Sequence, residues 1–187
     1  MANGWDPLTI AFYRGSVGWL FVSVWLLWHP GHSGLNNPWL WLWSVVAGLG
    51  IAGNFTFYFI SIAQGSVAVA ATLMYYAPVF VLLISFALKL ETPTFAKWSA
   101  MAVVSFGIVL LTQVYQSGAS HVSFFGVIAG LLAGLAYAGF IFGLKYAAPH
   151  GSPQAILMIA FSVLVILLAG LVDGHEVMAA IQSQHVL

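Results

Sequence analysis

The feature that most constrains this chain is residues 66–90, an apolar run with a proline near its centre. Its 25 residues would form a helix about 37 Å long, enough to cross a hydrocarbon layer of about 30 Å. Pro78 has no N–H group, and its ring crowds the carbonyl group of Met74, so the run predicts a spanning helix that is broken near its middle. Tyr75 and Tyr76 lie beside the break, where they can line a cavity. A broken span is typical of transporters, and a simple packing kink is the alternative.

Five further apolar runs have the length of a membrane span. Together with the broken run, they lie at about residues 8–28, 39–63, 66–90, 95–115, 123–147 and 154–172. Four of the runs begin with a helix-capping residue followed by proline, which is typical of helix starts. These pairs are Asp6-Pro7, Asn37-Pro38, Thr92-Pro93 and Ser152-Pro153. The sequence therefore predicts an all-α, polytopic helical-bundle membrane protein with six transmembrane helices.

The composition supports the same class and excludes others. Apolar residues make up 62% of the 187 residues and charged residues only 4%, whereas soluble domains have about 25% charged residues. Four Lys or Arg residues balance four Asp or Glu residues, which leaves no basic surface for nucleic acid. The sequence has no cysteine, and so no thiol nucleophile and no thiolate metal site. We expect the lipid bilayer, and not nucleic acid, as a partner.

An intramembrane enzyme would need paired carboxylates, a metal cluster or an activated nucleophile in or near the spans. All the acidic residues lie outside the apolar runs, namely Asp6, Glu91, Asp173 and Glu176. His29 and His32 bracket a Pro-Gly turn, but a His-x-x-His pair without a third ligand is a weak metal signal. We therefore predict no enzymatic activity, no metal site and no cofactor.

The first run contains the one charge well inside an apolar run, Arg14, and Asn54 is the most polar residue near the middle of the second. A cation at mid-span costs about 3 kcal/mol on insertion scales, so Arg14 needs either an anionic substrate or gating carboxylate, or a path for snorkelling to the surface. Asn54 can contact a substrate or simply join two helices by a hydrogen bond. The sequence predicts one water-accessible substrate cavity, closed by movement about Pro78. Its predicted lining residues are Arg14, Asn54, Tyr58, Tyr75 and Tyr76.

The fifth run carries two sets of glycines. Gly126, Gly130 and Gly134 recur every four residues and share one helix face, while Gly139 and Gly143 lie on another. Small residues spaced in this way let helix backbones approach each other inside a membrane. The pattern predicts closely packed helix neighbours, and it describes packing surfaces more than ligand contacts.

The lysines predict the orientation of the chain. Lys89 and Lys97 flank the turn after the third run, and Lys145 ends the fifth, so all three lie on one side if the spans alternate. Because loops on the cytoplasmic side are rich in Lys and Arg, that side is predicted to be cytoplasmic. The predicted location is the plasma or inner membrane.

Three stretches of the sequence carry a family pattern. They are DPLTIAFYR at 6–14, GNFTFYFISIAQGSVAVAATLMYYAPVFVLLISFALKLETPTFAKW at 53–98 and GIVLLT at 107–112. The middle stretch is the most specific, because it joins a tight helix turn, a tyrosine-proline centre and a Glu-x-Pro exit. These stretches resemble the EamA-type family of the drug/metabolite transporter superfamily. By that resemblance, Arg14 is the arginine of the family's second helix, and Tyr75, Tyr76 and Pro78 form the centre of its fourth.

The resemblance implies a larger architecture of two five-helix halves in opposite orientation, an inverted repeat with ten spans. In that frame, residues 1–115 hold helices two to five of the first repeat, 123–172 hold the first two of the second, and 173–187 form a polar tail. The chain would then be a fragment that inserts into a membrane but does not transport alone. In such a fragment, Gly139 and Gly143 are expected to lack helix partners.

These observations together predict a secondary transporter, a permease or exporter that moves a small metabolite by alternating access. Its expected partners are a small-molecule substrate and the bilayer, and a homodimer is left open. The main alternative is a non-transporting structural or partner-binding membrane subunit, and an intramembrane enzyme is less well supported. The convergence of the polar residues on one cavity would separate these classes.

Overall fold

The computed structural model describes residues 7–28, 33–65, 67–112 and 123–171, and these are almost entirely helical. The helices are α1 (Pro7–Trp28), α2 (Pro38–Ala63), α3 (Val67–Met74), α4 (Ala77–Ala87), α5 (Phe95–Thr112), α6 (Phe124–Ala147) and α7 (Pro153–Leu171). A short 3-10 turn, Ala148–His150, joins α6 to α7. Each predicted apolar run corresponds to one helix, except the third run, which is divided between α3 and α4. The all-α prediction is confirmed. The predictions for Asp6, His29, His32 and 173–187 fall outside the described residues.

Four described segments are long and apolar enough to cross a membrane. They are Pro38–Ala63, Val67–Ala87, Phe124–His150 and Pro153–Leu171. Although α1 has 22 residues, it carries Arg14 and three tryptophans, which lower its average hydropathy. The described apolar part of α5, Phe95–Ile108, is shorter than a full span. The class of polytopic membrane protein is confirmed, and four of the six predicted spans are clear among the described residues.

The third apolar run is broken as Pro78 predicts. Tyr75 and Tyr76 separate α3 from α4, and the N–H group of Tyr76 donates to the carbonyl oxygen of Leu73, 3.3 Å away and only three residues back. Pro78 lies in the first turn of α4, where proline is well tolerated. Because Pro78 has no N–H group, the carbonyl group of Met74 loses the donor that a continuous helix would provide.

Two of the predicted helix caps form as expected. The Oδ1 atom of Asn37 accepts a hydrogen bond from the N–H group of Trp39 at 2.9 Å. The Oγ atom of Ser152 accepts one from the N–H group of Ala155 at 3.3 Å. Both bonds satisfy backbone donors that the first turn of a helix leaves without partners.

The predicted cap at Thr92 is shifted by two residues. Helix α5 begins at Phe95, and the hydroxyl oxygen of Thr94 lies 3.4 Å from the N–H group of Lys97. Thr94 directly precedes the helix, so its hydroxyl group can reach the third helical residue, whereas Thr92 is too far back along the chain.

The chain divides into two compact units. The terminal unit consists of Met1–Ala52 with Phe142–Leu187, and the central unit consists of Gly53–Ile141. In the terminal unit, α1 packs along α7. Gly15 lies against Leu164, and the indole Nε1–H of Trp19 donates to the Oγ atom of Ser162 at 2.7 Å. The small residue brings the two helices close together, and the hydrogen bond fixes their register.

Gly143 corrects one expectation about the fifth run. It is buried in the terminal unit, and a Cβ atom added to it would lie 2.6 Å from the backbone nitrogen of Ala47. A Cβ atom at Gly139 would meet nothing within 4 Å. The expectation that both glycines lack helix partners is therefore wrong for Gly143, whose missing side chain allows α6 to approach α2.

In the central unit, the other glycines of α6 pack as predicted. A Cβ atom at Gly130 would lie 2.6 Å from the side chain of Leu73, and one at Gly134 would lie 3.0 Å from the Leu73 carbonyl oxygen. Gly126 faces Gln64 at the end of α2. This face of α6 therefore supports both α2 and α3 through close backbone approach.

Candidate functional site

The candidate site in the central unit is the break between α3 and α4. Tyr75 is 47% exposed, Tyr76 is partly buried, and Pro78 is exposed. Tyr58 of α2 is also partly buried, and it lies near enough to Tyr75 for their hydroxyl groups to interact electrostatically. The structure thus places Tyr58 within electrostatic range of Tyr75, which lies at the break.

Thr72 lies one turn before the tyrosines, but its hydroxyl group does not donate to the carbonyl group of Met74 at the break. It is buried, and its hydroxyl group donates to the carbonyl oxygen of Ala68 at 2.7 Å, within its own helix. A threonine hydroxyl group bonded in this way has its hydrogen bond within its own helix. The groups that can donate a hydrogen bond to the carbonyl group of Met74 are therefore the neighbouring tyrosines, water or a bound solute.

Asn54 joins two helices of the central unit. It is only 4% exposed, and its Nδ2 atom donates to the carbonyl oxygen of Ala133 in α6 at 3.0 Å. Of the two roles that the sequence left open for Asn54, this bond matches the structural one, a hydrogen bond that joins two helices. Its part in substrate binding stays a prediction, and its observed contact makes Asn54 a link between α2 and α6.

Two more polar contacts extend this link along α2. The Oγ atom of Ser61 donates to the carbonyl oxygen of Gly126 at 2.8 Å. At the end of α2, the backbone N–H group of Ser123 donates to the carbonyl oxygen of Gln64 at 3.1 Å. Hydrogen bonds between helices supply part of the attraction that the hydrophobic effect does not provide within lipid. They fix α2 against α6 on one side of the tyrosines.

Arg14 lies on α1 in the terminal unit. Its side chain is exposed, and it borders a shallow groove with a volume of ≈ 560 Å³. The residues lining the groove are Tyr13, Arg14, Val17, Gly18 and Phe21. Arg14 belongs to the terminal unit, whereas Tyr58, Tyr75 and Tyr76 belong to the central unit. A cavity shared by Arg14 and the tyrosines therefore stays a prediction.

The predicted substrate site contains Arg14 but none of the other groove residues, although their spacing from Arg14 is a signal in the sequence. Tyr13 precedes Arg14, and Val17, Gly18 and Phe21 follow it by three, four and seven residues. These spacings place Val17, Gly18 and Phe21 on one helix face with the arginine. The apolar character of the residues made them look like ordinary parts of a membrane span.

The electrostatics at the α4–α5 turn are local. The Nζ atom of Lys97 lies 3.1 Å from a carboxylate oxygen of Glu91, donates to the carbonyl oxygen of Thr92 at 2.8 Å, and sits 5.7 Å from the ring centre of Phe86. Both members of the ion pair are partly exposed, so the pair contributes little to stability. Within the described residues, no group of three or more His, Cys, Asp or Glu side chains could hold a metal ion.

Comparison with known protein families agrees with the resemblance seen in the sequence. The model of the EamA-like transporter family matches residues 1–113, which is more than half of the 187 residues. The matched part includes Arg14, Asn54, Tyr58 and the break between α3 and α4. No curated protein and no solved structure matches the chain. The chain therefore belongs to the EamA-like transporter family.

Proposed function

We propose that this protein is a secondary transporter, a permease or exporter that carries a small metabolite across the membrane by alternating access. Family membership and the polytopic helical architecture support a transporter. The observation that carries the mechanism is the interruption of the span Val67–Ala87 at Tyr75 and Tyr76. At this point, α4 can tilt relative to α3 at low cost, because the hydrogen bond of a continuous helix is already missing.

The break also provides polar groups inside a membrane. A carbonyl group without a donor costs several kcal/mol in hydrocarbon, on the order of the hydrogen bond it lacks. The proposed substrate contacts here are Tyr58, Tyr75 and Tyr76, whose hydroxyl groups can bind a polar solute while their rings face apolar parts of it. Interrupted helices form the solute sites of many secondary transporters, which supports the same role here.

The rest of the central unit provides a fixed surface for this movement. Asn54 and Ser61 hold α2 to α6, and Gly130 lets the side chain of Leu73 in α3 approach closely. Phe80 of α4 contacts α6 at Gly134. An aromatic ring against a glycine can slide without losing a hydrogen bond. In this proposal, α3 stays with α6 while α4 moves.

The orientation of the protein follows from the lysines. The proposed cytoplasmic side of a plasma or inner membrane carries Lys89, Lys97 and Lys145. Since the sequence has no cysteine, single cysteines can be introduced without background. An impermeant thiol reagent added to intact cells should label Ser117→Cys and spare Thr94→Cys. Labelling of Thr94→Cys alone would reverse the orientation.

The function is tested by measuring flux of a labelled panel of anionic, neutral and cationic metabolites into vesicles that contain the protein. Pro78→Ala should lower the protein-dependent flux by roughly tenfold, because it restores an N–H group and stiffens the span. The matched control is Pro93→Ala, at an exposed position outside the helices of the same unit. Wild-type flux by Pro78→Ala, with both variants equally abundant, would contradict the proposed mechanism. Absence of flux for every compound with the wild-type chain would favour either a non-transporting subunit or the predicted fragment that does not transport alone.

A further inference from the structure

We propose that the groove on α1 binds an amphipathic monoanion, with its carboxylate on Arg14 and its apolar body along Val17, Gly18 and Phe21. The inference rests on the proposed transport function, because it names the substrate class that this site would select. It does not require the tyrosines of the central unit. It can therefore be tested by binding alone.

The first argument is the exposed charge of Arg14. The side chain is exposed on an apolar helix, and in the described part of the chain the ion pair that forms is that of Lys97 with Glu91, not one with Arg14. A cation inside a membrane span is costly unless it pairs with an anion or reaches water. The planar guanidinium group pairs best with a carboxylate or phosphate, because it can donate two parallel hydrogen bonds.

The second argument is the shape of the groove beside that charge. Val17 is 65% exposed and Phe21 is 70% exposed, and they stand one and two turns beyond Arg14. Gly18 forms the floor between them because it has no side chain, and behind it lies Phe161 of α7. The groove volume of ≈ 560 Å³ is within the range of about 300–1,000 Å³ that is usual for small-molecule sites.

The third argument is the charge of the groove. Among the described residues that line it, Arg14 is the one charged side chain. A monoanion would be neutralised there, whereas a dianion would keep an uncompensated charge in a poorly hydrated place. The described part of the lining has no carboxylate for the ammonium group of a zwitterion. The complementary ligand is thus a monocarboxylate with an apolar body.

The length of the groove favours a soluble metabolite over a phospholipid. From Arg14 to Phe21 the helix advances about 10 Å, which matches a small molecule. One leaflet of the hydrocarbon core is about 15 Å thick, so an acyl chain would extend well past the groove. A lipid phosphate offers Arg14 the same charge, and the experiment must separate the two ligands.

The binding experiment uses the full 187-residue chain in phosphatidylcholine nanodiscs and isothermal titration calorimetry. The probe is 3-phenylpropionate, and its uncharged match is 3-phenylpropanamide. The carboxylate should bind roughly tenfold more tightly than the amide, and Arg14→Gln should abolish that difference. Lys145→Gln, which removes another exposed cation of the terminal unit, should leave binding unchanged. Equal binding of acid and amide, or no effect of Arg14→Gln in a protein of unchanged thermal stability, would overturn the proposal.

A second variant tests the groove itself. A Cβ atom at Gly18 would lie 3.7 Å from the ring of Phe161, an ordinary contact, so Gly18→Ala should fold normally while raising the floor of the groove. It should lower the affinity for 3-phenylpropionate several-fold and leave the weaker affinity for acetate unchanged. An equal loss of affinity for both acids, or no loss for either, would contradict the assignment of the apolar body to the groove.

A change of lipid composition distinguishes a soluble carboxylate from a lipid phosphate as the anion that Arg14 binds. Replacing phosphatidylcholine by phosphatidylglycerol should change the affinity for 3-phenylpropionate by less than about threefold, which is the effect of surface charge. Complete loss of carboxylate binding in the anionic bilayer would identify a lipid headgroup as the occupant and overturn the proposal.

Transport measurements distinguish failure of this inference from failure of the proposed function. Flux of neutral or cationic compounds that is unaffected by Arg14→Gln would overturn the carboxylate class and leave the transporter intact. Arg14-dependent carboxylate binding without flux of any compound would support the binding site and count against transport by this chain alone.

Discussion

Helix α6 and the α3–α4 segment both contain residues that disfavour helices, but with opposite consequences. Glycines along α6 leave its backbone ladder intact over Phe124–Ala147 and let neighbouring helices approach to backbone contact. Pro78 removes a backbone donor, and the span Val67–Ala87 is interrupted. The difference lies in what each residue removes. A missing side chain promotes packing, whereas a missing N–H group releases the backbone.

Hydrogen bonds in the central unit show the same contrast. Asn54 and Ser61 of α2 donate to carbonyl groups of α6 and so hold the two helices together. At the break, Tyr75 is half exposed, and Thr72 bonds within its own helix. The comparison therefore predicts that α6 forms a rigid frame and that α4 is the movable element.

The largest expected effect comes from adding a methyl group to the tightly packed part of α6. Gly143→Ala should lower the free energy of unfolding by about 2–3 kcal/mol, because its Cβ atom would collide with the backbone of Ala47. Gly139→Ala is the matched control on the same helix, where the added atom meets nothing within 4 Å. Denaturant titration in detergent measures both. Equal stabilities of the two variants would contradict the packing description.

An intermediate effect is expected where α2 is bonded to α6. Asn54→Ala should lower the free energy of unfolding by about 1 kcal/mol, because it leaves the buried carbonyl group of Ala133 with one bond fewer. Tyr75→Phe removes a hydroxyl group from the broken segment and should change stability by less than about 0.5 kcal/mol. If Tyr75→Phe were the more destabilising variant, the rigid and movable regions would be wrongly assigned.

The smallest effect is expected at the turn that follows α4. Glu91→Gln should cost less than about 0.5 kcal/mol, because its ion pair with Lys97 is partly exposed. The loss should shrink further in 1 M salt, where screening acts over about 3 Å. Thermal denaturation at low and high salt measures it. A loss above about 1 kcal/mol that is independent of salt would mean that this turn is part of the rigid frame.

The sequence predicted the helices and the break well because both depend on local chemistry. Apolar length and capping pairs located the helices to within a few residues, and the missing N–H group of Pro78 located the interruption. Average hydropathy was less reliable for α1, where Arg14 occurs in a helix of spanning length. The length of the apolar run nevertheless predicted the helix at this position.

The contacts of individual residues required the structure because they depend on which helices meet. Asn54 was equally suited to a substrate and to a neighbouring helix, and its bond to Ala133 could not be read from spacing. Gly139 and Gly143 share a pattern in sequence, yet one meets open space and the other meets Ala47. The groove beside Arg14 also depends on an arrangement that apolar residues do not signal individually.

The central claim is that α4 moves relative to α3 while α6 stays rigid, and a distance measurement across the break tests it most directly. Spin labels at exposed Val67 and Leu83 would be about 24 Å apart in a straight helix, within reach of double electron–electron resonance. Labels at exposed Phe124 and Leu135, about 17 Å apart, provide the control on α6. The account predicts a broad distribution across the break that Pro78→Ala narrows, and a narrow one on α6 that Pro78→Ala leaves unchanged. Equally narrow distributions for both pairs, unaffected by Pro78→Ala, would contradict it.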